Sequence, residues 1–151
     1  MTVEDEIDFL ARVPALGRLG DGALRSLAIA AEAYSVQAGE VLFAAGDAAD
    51  GALIIQQGTV SLKPERGDEV LAGPGTLLGE SALLAETKRP ATATASEACT
   101  VLRLSRATFL KVLDSYPDAA QRLRDHYAVR TDQWAQEIEN VRAMLARGRN
   151  P

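Results

Sequence analysis

The sequence predicts an α+β fold that is mainly β, with short strands forming a sandwich or roll between helical ends. Three observations carry that reading. From Tyr34 to Leu104 the chain breaks into brief β-rich runs punctuated by Gly, Pro and Asp, while helical spacing of apolar residues precedes that stretch and returns after Ser105.

The elements follow in order. Ile7, Leu10 and Val13 recur at helical spacing behind Glu4, Asp5 and Glu6, acids that suit the positive end of a helix, so residues 4–13 read as a first helix. Asp21 precedes a second helical stretch with Leu24, Leu27, Ala28 and Ala31 on one face. Strands are expected over 34–37, 41–45, 52–57, 59–63, 69–72, 91–96 and 99–104. In the run Ala91-Thr92-Ala93-Thr94-Ala95 small and hydroxyl residues alternate, so one face can point into a pocket and Thr92 is a candidate pocket hydroxyl. Ser105 is a natural N-cap for a helix carrying Phe109, Leu110 and Leu113, and Pro117 opens a last helix running to about Ala146. The expected organisation is one domain: a helical segment over 1–33, β-structure over 34–104, and helices over 105–148.

Bulk properties narrow the function. A chain of 151 residues, 47% hydrophobic and 25% charged, can bury about two thirds of its unfolded surface in a single core. A formal net charge of −5 argues against direct contact with nucleic acid or an anionic membrane. The acidic amino terminus and the lack of eighteen consecutive apolar residues imply neither export nor membrane insertion, and the expected location is the cytoplasm. Cys99 is the only cysteine and sits in an apolar-alternating stretch, where a buried inert thiol is expected.

Chemistry concentrates in residues 79–92. Gly79 can turn the chain sharply, and Ser81 to Ala85 can form one helical turn whose N–H groups attract an anion. Arg89 supplies a planar, permanently charged fork that matches phosphate oxygens, and Glu80 can accept hydrogen bonds from a vicinal diol such as ribose. Together these groups suit a nucleotide.

The pattern Gly-Glu-x-Ala-Leu, five further residues, then Arg-x-Ala-Thr resembles the phosphate-binding cassette of cyclic-nucleotide-binding domains. The resemblance extends to Gly39-Glu40-Val41-Leu42-Phe43, Gly46-Asp47, the run from Gly51 to Val60, and Pro74-Gly75, covering roughly residues 5 to 130. It implies an antiparallel β-roll or jelly-roll barrel flanked by N-terminal helices and a C-terminal helical pair. It implies that Glu80 takes the ribose 2′-hydroxyl, that Arg89 takes the cyclic phosphate, and that the main chain of Gly79, Ser81 and Ala82 adds N–H donors. Arg130 lies near the place where some relatives stack an arginine on the purine, with Tyr127 and Trp134 as competing lid residues.

One position departs from the family. Pro90 follows the arginine where Ala, Ser or Thr is usual, and proline has no N–H to give. It also lacks the threonine hydroxyl of many cyclic-GMP-selective relatives, so cyclic AMP is the expected ligand rather than cyclic GMP. No cofactor is expected.

The expected function is a non-catalytic cyclic-nucleotide-binding regulatory module that signals through movement of its C-terminal helix to an effector protein that the sequence does not name. The alternative is a related dimeric interaction protein without nucleotide. Tyr127, Trp134 and Val141 share one heptad position and Thr131, Ile138 and Leu145 another, the pattern of a short homodimer seam. A cupin-type metal enzyme is not expected, because such sites need two or three histidines and His126 is the single histidine. A helix-turn-helix regulator is not expected, because the stretch after Pro117 reads as one helix without a basic recognition face.

Overall fold

Alternation along the chain decides which face each strand buries. The computed structural model describes residues 2–126. Ten strands are arranged in two four-stranded antiparallel sheets and one two-stranded pair. The first sheet has the order β1-β10-β4-β7, formed by Glu32–Val36, Cys99–Ser105, Gly51–Gln57 and Leu77–Leu78. The second has the order β2-β9-β5-β6, formed by Val41–Phe43, Ala91–Ala95, Val60–Pro64 and Val70–Ala72. Strands β3 (Ala48–Ala49) and β8 (Thr87–Lys88) pair with each other. This is the mainly β antiparallel roll expected from the sequence.

The first sheet is covered on both sides, which explains why β4 buries five consecutive residues instead of alternating. Ile54, Leu102 and Leu104 pack with the helices, whereas Leu53, Ile55 and Val101 pack with Val60, Ala93 and Ala95 of the second sheet. The helical layer contains α1 (Val3–Ala11), α2 (Asp21–Ala30), α3 (Arg106–Ser115) and a further helical run, α4, that starts at residue 117 and is described to 126. Its core contacts include Leu10, Leu16, Leu24, Leu27 and Phe109, each at most 2% exposed. Burying such a side chain contributes roughly 1.5–3 kcal/mol relative to leaving it in water.

Local signals set the element ends. Thr2 and Asp5 form a reciprocal capping box at the start of α1. The Ser105 hydroxyl caps α3 by accepting from the Thr108 N–H at 3.2 Å. The second helix differs slightly from expectation: Gly20 is its N-cap and Asp21 its first residue. Gly58, between β4 and β5, has φ of 92°, and a Cβ there would approach the Ala98 carbonyl and the Cys99 sulfur at 2.6 Å. Only glycine fits that turn without strain. The Cys99 thiol is buried, and its single S–H is shared between the carbonyls of Thr59 at 3.3 Å and Glu97 at 3.2 Å. No helix among the described residues is long and apolar enough to cross a membrane.

Candidate functional site

A cavity of about 550 Å³ opens between the β7 edge of the first sheet and the second sheet. Phe43 from β2, Leu62 from β5 and Leu77 and Leu78 from β7 supply apolar walls, and Thr76, Gly79, Glu80, Ser81, Arg89, Pro90 and Ala91 complete the lining. Its size lies within the range of small-molecule sites, as does its mix of an apolar wall with few polar groups.

The polar side is built by a tight turn. Gly79 has φ of 85° and ψ of 39°, a left-handed conformation that side chains other than glycine adopt at a cost of about 1–2 kcal/mol. It leads into a 3₁₀ turn over Glu80–Leu83. Glu80 and Ser81 face the cavity, whereas Ala82 and Leu83 enter the core at 0% and 2% exposure. A Cβ on Gly79 would collide with Nη1 of Arg89, so the glycine also makes room for the guanidinium.

Arg89 is held from both directions along its backbone. Its N–H donates to the Asp47 carbonyl at 2.8 Å, and its own carbonyl accepts from the Gly46 N–H at 2.8 Å. The side chain is 8% exposed and is the one buried charged residue among those described. Its Cζ stands 4.4 Å from the centroid of the Phe43 ring, a cation–π distance. Nη1 has no hydrogen-bond partner among the described residues. Desolvation pulls the guanidinium below its ordinary pKa, and the charges of Asp50 and Asp47 oppose that pull. Buried guanidinium groups are normally paired and hydrogen-bonded, so an unpartnered donor at a cavity wall is a place for an anionic acceptor.

The expected site residues divide into three groups. Gly79, Glu80, Ser81, Arg89 and Pro90 come together around the cavity. Ala82 does not line it: the side chain is in the core, and its N–H donates to the Gly79 carbonyl at 3.0 Å within the turn. Thr92 is corrected as well. The alternation places Ala93 and Ala95 in the barrel interior, and Thr92 lines a separate hollow with Thr94, Ser61 and Lys63. There its hydroxyl accepts from the Ala45 N–H at 3.0 Å. On the inward face Ala93 and Ala95 pack against Leu53, Ile55, Val60 and Val101, so the apolar side of the alternation is the buried one. Arg130, Tyr127, Trp134 and the heptad seam lie outside the described residues.

Sequence reasoning missed Phe43 as a site residue, since an aromatic ending an apolar strand reads as core. It also missed Leu62 and Leu77, whose place at the cavity depends on sheet pairing.

Comparison with known proteins bears on the family and the fold. The family model for the cyclic nucleotide-binding domain matches residues 34–116. The chain belongs to the cyclic nucleotide-binding domain family. It is 32% identical over 115 residues to a cyclic nucleotide-gated potassium channel of Mesorhizobium japonicum, covering 76% of this chain and 32% of the channel. It therefore spans about a third of that relative's length. A cyclic nucleotide-binding-like protein from Brucella abortus matches at 38% identity and TM-score 0.65, over 73% of this chain and 98% of that one. The regulatory domain of Toxoplasma gondii protein kinase A, crystallised with cAMP, matches at 28% identity and TM-score 0.66, over 76% of this chain and 46% of that one.

Proposed function

We propose that this domain is a non-catalytic regulatory module that binds a cyclic mononucleotide, with cyclic AMP preferred over cyclic GMP. The observation that carries the reading is the Arg89 guanidinium: buried, stacked on Phe43, bordering the cavity and lacking a partner for Nη1 among the described residues. A cyclic phosphate supplies the missing acceptor and the compensating charge. Glu80, on the same wall, accepts from the ribose 2′-hydroxyl, and the main chain of Gly79 and Ser81 contributes further donors. The apolar walls formed by Leu62, Leu77 and Pro90 suit the uncharged remainder of the ligand.

Binding is read out through the helical segment beyond Pro117, with ligand shifting an equilibrium between open and closed arrangements to the extent that it binds them unequally. The receiver is a partner protein or a further domain. Pro90 supports a second reading, a dimeric interaction module that does not bind nucleotide. Proline at the cavity wall offers no N–H, and a lost hydrogen bond to a charged acceptor costs about 1.5–3 kcal/mol.

Calorimetric titration with cyclic AMP and cyclic GMP separates the two. A ligand present at a hundred times its Kd stabilises by about 2.7 kcal/mol, which raises the melting temperature by roughly 5–10 °C for a domain of this size. Arg89→Ala removes that shift. No heat and no shift with either nucleotide at millimolar concentration supports the interaction module.

A further inference from the structure

The start of α3 carries a cation where the helix dipole disfavours one. Arg106 is the first residue of that helix, and its first turn contains no acidic residue. Main-chain oxygens hold the side chain there. Nη1 of Arg106 donates to the carbonyls of Ala49 at 3.1 Å, Ala82 at 3.2 Å and Ala85 at 3.0 Å. A guanidinium nitrogen carries two hydrogens, so these are shared among three acceptors. The backbone N–H of the same residue donates to the Asp50 carbonyl at 2.6 Å.

Two of those acceptors belong to the segment that carries Glu80, and the third belongs to the strand paired with the one that leads into Arg89. Ala82 and Ala85 lie in and just after the turn whose opposite end, Gly79 to Ser81, lines the cavity. Ala49 ends β3, which pairs with β8, and β8 runs directly into Arg89. One side chain therefore ties the Glu80 turn to β3, and through the pairing of β3 with β8 to the segment that leads into Arg89, although Arg106 is not among the cavity-lining residues.

We propose that Arg106 is a positioning residue: it sets the spacing between the Glu80 turn and Arg89 on which capture of a cyclic nucleotide depends. For its ligand this rests on the function proposed above; for its structural part it rests on the three carbonyl contacts alone. A delocalised cation suits the role, because its hydrogen bonds are charge-assisted and it does not lose its proton.

The test compares wild type, Arg106→Gln and Arg106→Lys by amide hydrogen exchange without ligand and by calorimetric titration with cyclic AMP. Loss of charge-assisted bonds is expected to speed exchange over residues 47–50 and 80–85 by about tenfold or more in R106Q, with the amides of β4 and β5 little changed. Cyclic AMP affinity falls by about tenfold or more in the same variant, and R106K recovers part of both effects. Uniformly faster exchange throughout the domain, or none at all, overturns the proposal; so does R106Q binding cyclic AMP as tightly as wild type. If wild type binds no nucleotide, the proposed function fails and the exchange data alone decide whether Arg106 holds the turn. If R106Q does not fold, R106K is judged by the same criterion, localised change against uniform or absent change.

Discussion

Arg89 lies with its guanidinium carbon 4.4 Å from the centre of the Phe43 ring, so the one buried cation among the described residues rests on an aromatic face. The ring supports the plane of the fork and leaves the hydrogens on its edge for other partners. Phe43→Leu keeps apolar volume but removes that face. Cation–π contacts contribute about 0.5–2 kcal/mol, so cyclic AMP affinity is expected to fall roughly threefold to thirtyfold by titration calorimetry. Unchanged affinity would show that the backbone clamp on Arg89 suffices to orient it.

The unpartnered Nη1 has an opposite consequence for the ligand-free protein. An orphaned buried donor costs about 1–3 kcal/mol, in mid-range somewhat more than the about 0.5–2 kcal/mol that the cation–π contact returns. Arg89→Met is therefore expected to raise stability in urea by about 1 kcal/mol while abolishing nucleotide binding. A loss of stability would mean that the electrostatic support of Asp47 and Asp50 outweighs desolvation.

Pro90 offers a gain-of-function experiment. Pro90→Ala restores a backbone N–H beside Arg89, and one hydrogen bond to a charged acceptor corresponds to roughly ten- to a hundredfold in affinity. The same change loosens the unfolded chain and costs about 0.4–1 kcal/mol of stability. Tighter binding with a slightly lower melting temperature is the expected pair of results. Equal affinity for both forms would show that this position contributes no donor.

Thr92 is expected to matter for stability and not for ligand. Thr92→Val removes the acceptor of the half-buried Ala45 N–H, a loss of about 0.5–1.5 kcal/mol in urea denaturation. Cyclic AMP affinity stays at the wild-type value because the hydroxyl lines the other hollow. A large loss of affinity would place Thr92 back at the site.

The legibility of this chain follows the length of each signal. The strands β4, β9 and β10 are five to seven residues long and are evident from their apolar and small-residue patterns, whereas β3, β7 and β8 have two residues each and leave no periodicity to detect. Gly79, Glu80, Ser81, Arg89 and Pro90 stand within twelve positions of one another, so their shared chemistry can be read locally. Phe43 and Leu62 reach the same cavity only through the pairing of β2 and β5 with β9, which the sequence does not state. For Thr92 the alternation is visible but its phase is not, because the close packing of Ala93 and Ala95 decides which face turns inward. Arg106 leaves one faint trace, a positive charge opening a helix without acidic company.

The sealed sulfur of Cys99 has a practical consequence. With this single native thiol 4% exposed and turned toward two carbonyls, a maleimide dye offered to the folded protein should leave it unlabelled. A cysteine introduced at exposed Ser81, on the rim of the cavity, then becomes the one reactive handle, and a fluorophore there can report occupancy without first mutating the native residue.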